Sequence, residues 1–156
     1  MELMKNSKYL LSAALLAVGL STAAWAAEEV ASPDEAKALS EKAAAAVDEM
    51  GKDKAFSAFS EATGGFQLKD LYVFCMDMEG VMLSHAKKPE LVGKNLLDFN
   101  KYGDTLFQNM VNLAKKDSKG WVDYKWPYPG SEEIRQKTSY IMTNKAGFFC
   151  GVGAYK

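Results

Sequence analysis

The 156 residues hold one histidine, two cysteines and four prolines, and each scarcity removes a class of chemistry. A single histidine, His85, excludes a multi-histidine metal site, so no metal is expected. A Ser-His-Asp arrangement would have to be built around that one ring. The GxSxG elbow is missing, and in a strand the adjacent Ser84 points the other way. Cys75 and Cys150 stand too far apart for a CxxC redox pair, and no CxxCH sequence offers covalent haem attachment; a disulfide or two quiet buried thiols remain. Cationic excess is also missing, with 19 basic against 20 acidic residues and a net charge of −1. That balance argues against nucleic acid and against acidic lipid surfaces. There are no repeats, low-complexity segments or linkers, and nothing after residue 27 approaches the roughly 18 apolar residues of a membrane-spanning helix.

What is there begins with an export signature. Lys5 and Lys8 precede an apolar run from Tyr9 to Leu20, and small residues end at Ala24-Trp25-Ala26. The run, of about 12 residues, is short for a bilayer crossing, so residues 1–26 are expected to be a signal peptide cleaved near Ala26, with a retained anchor the alternative. The remaining 130 residues, 27–156, carry 17 basic and 19 acidic side chains, because Lys5, Lys8 and Glu2 leave with the signal. They suffice for one domain with its own core, outside the cytoplasmic membrane and with no direct membrane insertion.

Ser32-Pro33-Asp34-Glu35 is a helix start, with Ser as cap, Pro in the first turn and Glu completing a capping box. Ala36, Leu39, Ala43, Val47 and Met50 continue one apolar stripe until Gly51 interrupts it. A second helical piece carries Phe56 and Phe59 and ends at Thr63-Gly64-Gly65. Leu71 to Met76 is β-branched and aromatic and reads as a strand buried on both faces; Asp77-Met78-Glu79-Gly80 reverses it into a return strand, Val81 to His85. Lys87 to Asn100 reads as an irregular connection with short helical turns. Phe107, Met110, Val111 and Ala114 mark an amphipathic helix with Asp104 as its expected cap. Three strands follow, over Trp121–Trp126, Gln136–Thr143 and Phe148–Tyr155, which makes the chain one α+β domain.

The stretch from Trp121 to Gly130, followed by Arg135, Lys137 and Tyr140, concentrates aromatic rings, a Pro-x-Pro-Gly turn and cations. A small anionic or amphipathic ligand needs that mixture of apolar walls, orienting phenol or indole hydrogens and one neutralising charge. Tyr124 and Trp126 share a strand face and could serve as walls or simply as core. Tyr128 could fold over the mouth or be an exposed loop aromatic.

The succession of Tyr72-Val73-Phe74 with Asp77 and Gly80, Gly93-Lys94-Asn95 with Asp98, Gly120-Trp121-Val122 with Tyr124, Trp126 and Pro127, Lys137 with Ser139-Tyr140, and Gly151-Val152-Gly153 with Tyr155 resembles the single Cache domain family over nearly all of residues 33–156. The resemblance implies a PAS-like five-stranded antiparallel sheet, with a long N-terminal helix on one face and short helices plus a ligand pocket on the other. It also implies an extracytoplasmic sensing module of the kind fused to chemoreceptors or histidine kinases. With no membrane helix or signalling domain after Tyr155, the expectation is a free-standing periplasmic binder. The match places Lys137 in the pocket, where a buried ammonium calls for an anion such as a ligand carboxylate. Strand alternation sets Lys137 and Tyr140 on opposite faces, so both reach one pocket only across a bulge or strand end. His85 lies where the family has polar residues beside the pocket, and Arg135 is a weaker cationic candidate on a loop. The family fold makes the first and fifth strands neighbours, so a Cys75–Cys150 cross-strand disulfide becomes geometrically feasible.

Two functions follow as expectations: a non-catalytic periplasmic binder of a small organic acid, and an interaction protein that docks on a membrane receptor or kinase with a vestigial pocket. An enzyme would need a nucleophile with its base, paired carboxylates or a metal site, none of which the pattern offers. No cofactor is expected, haem or flavin in a PAS-like pocket being a minor option.

Overall fold

A computed structural model describes residues 29–156; the expected signal over 1–26 lies outside the described residues. In chain order the elements are α1 (Pro33–Met50), α2 (Lys52–Ser60), β1 (Val73–Met76), β2 (Met82–His85), a 3-10 turn (Pro89–Leu91), α3 (Leu106–Asp117), β3 (Lys119–Pro127), β4 (Ile134–Thr143) and β5 (Phe149–Tyr155). The strands form one antiparallel sheet in the order β2-β1-β5-β4-β3. This is the expected α+β, PAS-like architecture.

Local chemistry sets the boundaries. The Ser32 hydroxyl accepts from Glu35 N at 3.2 Å while Ser32 N donates to the Glu35 carboxylate at 2.8 Å, which closes the capping box. Lys69 reaches the same carboxylate at 2.8 Å, and this hydrogen bond leads in pulling the Glu35 pKa down to about 2. At the hairpin, Asp77 Oδ1 accepts from Glu79 N and Val81 N, and Gly80 takes the positive φ of 86° that the reversal requires. The expected Asp104 cap is not formed. The Asp104 carboxylate accepts from Lys125 N on β3 at 3.1 Å, and Thr105 holds the cap position without a side-chain bond to a backbone amide.

Each sheet face has its own core. On one, α1 and α2 pack Ala36, Leu39, Ala43, Val47 and Phe59 against Val73, Cys75, Cys150, Val152 and Ala154. The small residues of α1 let its backbone come close enough for Ser40 to donate to the Tyr140 carbonyl at 2.9 Å. The disulfide lies on this face: Cys75 is in register with Cys150 on adjacent β1 and β5, and the two are bonded. On the other face, α3 packs Leu106, Phe107 and Met110 against Phe74, Met76, Ile141 and Phe149.

Candidate functional site

Alternation along β3 buries Val122, Tyr124 and Trp126 and exposes Trp121, Asp123 and Lys125, so the aromatic stretch turns its rings toward α3. Between sheet and helix is a cavity of about 10 Å³, room for roughly one water. Tyr72, Phe74, Tyr124 and Trp126 line it from the sheet, Leu106, Phe107 and Met110 from α3, and Met82 and His85 from β2. Tyr72 and Trp126 also form a wall of an outer cleft of about 100 Å³, bounded by Lys87, Lys88 and the Pro127–Ser131 turn. The interior space is mostly filled by the protein's own side chains, and anything larger than a water enters only if they move.

Lys137 is 1% exposed. In the β3–β4 and β4–β5 ladders it faces Tyr124 and Tyr155. Its Nζ donates to the Tyr72 hydroxyl at 2.8 Å and to the Tyr155 hydroxyl at 3.4 Å, and lies 4.1 and 4.5 Å from the centres of those two rings. Among the described residues no carboxylate is in ion-pair contact with it. Burial therefore dominates and pulls its pKa down to about 7, with Asp70 opposing from a distance. Lys137 stands one ring back from the cavity, behind Tyr72, and does not line it. The phenols are tied down in turn: Tyr155 donates to the Pro127 carbonyl at 2.7 Å, and the Tyr124 hydroxyl and Ser139 Oγ are 2.7 Å apart. Burial raises the pKa of all three tyrosines, so they stay neutral donors.

His85 sits at the end of β2, 5% exposed, its ring 5.1 Å from Tyr72 and 6.2 Å from Trp126. Its Nδ1 accepts from the backbone amides of Lys87 and Lys88 at 3.2 and 3.0 Å. An Nδ1 that accepts leaves the ring hydrogen on Nε2. Burial first, then the charges of Lys137 and Lys88, lower its pKa to about 3, so the ring is neutral.

Thus the fold brings Lys137, Tyr124, Trp126 and His85 to one face. Tyr140 is a correction to the sequence reading: alternation puts it on the α1 face, its ring 5.1 Å from Trp121 and under Lys37 Nζ at 5.4 Å. Tyr128 is not an exposed ring; it is 3% exposed, packs edge-on against Tyr155 at 4.8 Å and lines the outer cleft. Arg135 lies outside the hollow, its guanidinium 4.0 Å from the Tyr128 ring and 2.7 Å from Glu133. Sequence reasoning missed Tyr72 and Tyr155 as partners of Lys137, although both belong to the quoted family motifs; the missing information was strand register. Among the described residues no cluster of histidine, cysteine and carboxylate groups could hold a metal.

A Cache domain profile matches residues 34–156. The chain belongs to the Cache domain family. Cache domains are extracytoplasmic sensor domains of chemoreceptors and kinases. This Cache domain is 36% identical over 88 residues to the methyl-accepting chemotaxis protein McpP of Pseudomonas putida, a match covering 55% of this chain and 16% of that protein. It is 30% identical over 89 residues to the sensor histidine kinase MctS of Rhizobium johnstonii, covering 56% and 19%. The match therefore spans less than a fifth of these curated relatives. A solved Cache chemosensory domain, described as the structural basis for carboxylic acid recognition, superposes with a TM-score of 0.62 at 25% identity, covering 78% of this chain and 86% of that one. No helix of the described residues is long and apolar enough to cross a membrane.

Proposed function

We propose that residues 27–156 form one periplasmic, non-catalytic sensor domain that binds a small organic acid, after removal of a signal peptide ending near Ala26. The observation that carries this is Lys137: a fully buried amine, held by two neutral phenols and, among the described residues, without a carboxylate in contact, one ring back from an aromatic hollow. An isolated buried ammonium is unfavourable by several kcal/mol, on the order of the penalty for any unpaired ion, and a ligand carboxylate relieves it. Tyr72 and Tyr155 orient the amine, His85 offers a neutral Nε2–H, and Tyr124 and Trp126 exclude water. The similarity to a structure concerned with carboxylic acid recognition supports the ligand class.

The test is a thermal-shift panel of acetate, pyruvate, lactate, amino acids and amines. Carboxylates should raise the midpoint and amines should not. Folded protein that none of them stabilises overturns the reading.

The cavity volume of about 10 Å³ favours a second reading, in which the hollow is vestigial and the domain docks on a membrane chemoreceptor or histidine kinase. Similarity to chemoreceptor and kinase segments supports such partners. Capture of a receptor from membranes, equal with and without carboxylate, would favour this second reading over the first.

A further inference from the structure

The buried amine has a consequence for what species the site takes. Among the described residues no acid is in ion-pair contact with Lys137. From the segment leading into β1 comes the Tyr72 hydroxyl, from β5 that of Tyr155, and from β3 the ring of Tyr124; β2 contributes His85. The phenols and the imidazole are neutral for the reasons given above. Asp70, also ahead of β1, is the acidic group whose charge reaches Lys137 and opposes the downward shift; it is buried but not in contact, one oxygen accepting from Ala31 N at 2.8 Å and the other having no hydrogen-bond partner among the described residues. Arg135 and Tyr128 act on Tyr155 from farther out. The lysine stem lies over Gly153, where an added β-carbon would collide with Lys137 Cε.

We infer that the site takes up a carboxylate together with a proton on Lys137, so that the domain responds to a weak acid as a charge-neutral unit and not to the bare anion. The inference rests on the carboxylate reading above. Near neutrality a substantial fraction of the amine is unprotonated, because burial brings its pKa to about 7. A carboxylate beside Nζ favours the ammonium and raises that pKa, and linkage requires that binding then draw a proton from solvent. Below about pH 7 the proton is already present and affinity levels off. Above it, affinity falls about tenfold per pH unit, until the raised pKa of the complex is reached. The chain's one histidine is held at about 3 and takes no part in this window.

Isothermal titration of the intact domain with pyruvate and with acetate, between pH 6.5 and 8.5 in buffers of different ionisation enthalpy, tests this. Expected are an uptake approaching one proton per carboxylate at pH 8 and a roughly tenfold weaker affinity at pH 8.5 than at pH 7.5. Pyruvate or acetate binding with constant affinity and no proton uptake overturns the inference while leaving the carboxylate reading intact. Failure of both acids to bind at every pH overturns both. Lys137→Arg, whose charge is permanent, should bind without the pH slope. A slope that persists in a folded Lys137→Arg protein assigns the proton elsewhere and overturns the inference.

Discussion

Gly153 stands directly across the β4–β5 ladder from Ser139, and the place a β-carbon would take at Gly153 is occupied by Ser139 Oγ and Lys137 Cε. The lysine is buried because its neighbour lacks a side chain. Gly153→Ala should therefore push the stem off its course, with a loss of about 1–3 kcal/mol of stability, typical of overpacking, and a tenfold or larger loss of carboxylate affinity. Urea unfolding and ligand titration measure the two. Wild-type values for both would show that the stem tolerates the extra carbon.

Lys137→Met should leave stability unchanged or raise it at neutral pH, because an apolar chain replaces a poorly compensated charge. The sign with pH follows from the depressed pKa. Between about 7 and the ordinary lysine value of 10.5 the unfolded chain binds more protons than the fold, so wild-type stability rises with pH in that window. The stability advantage of the variant should be largest at pH 6 and shrink by up to about 1.4 kcal/mol per pH unit above 7. Denaturant curves from pH 6 to 9 check this, and a constant gap would mean that the amine is charged throughout.

His85 should make the fold acid-sensitive. Its folded pKa is about 3 against an ordinary 6.5, so its contribution is complete above pH 6.5 and disappears as pH falls toward 3. His85→Asn keeps a side-chain acceptor for the Lys87 and Lys88 amides but does not titrate. Its unfolding midpoint should fall less steeply between pH 6.5 and 4 than that of the wild type. Parallel profiles would show that the ring is already charged in the fold.

Reduction of the disulfide should cost up to about 4 kcal/mol in the chain-entropy view, given a sequence separation of 75. Because the bond lies under α1 and not in the hollow, Cys75→Ala with Cys150→Ala should unfold at lower urea yet bind carboxylate as before. A parallel loss of affinity would show that the two faces are coupled.

Tyr140→Phe and Tyr155→Phe separate the faces more gently. Tyr140 offers the α1 face its ring and its carbonyl, so losing its hydroxyl should leave ligand affinity unchanged. Loss of the Tyr155 hydroxyl removes a partner of Lys137 and of the Pro127 carbonyl and should weaken binding by about 1 kcal/mol or more. Equal effects in thermal-shift titrations would contradict this division.

The elements were legible in the sequence wherever a local rule acts within a few residues: the Ser32 capping box, the Gly80 turn and the alternation from Trp121 to Trp126. Alternation even foretold the separation of Lys137 from Tyr140. What escaped was set across the chain. Asp104 lost its cap role to an amide 21 residues away, and the partners of Lys137 come from 65 residues before it and 18 after it. Such pairings follow from ladder register and from packing, which no short window contains.

The ring of Tyr72 belongs at once to the inner hollow and to the outer cleft. Trp126 is shared in the same way, so the partition between hollow and cleft is built from side chains alone, and opening it would require rings to turn and no strand to part.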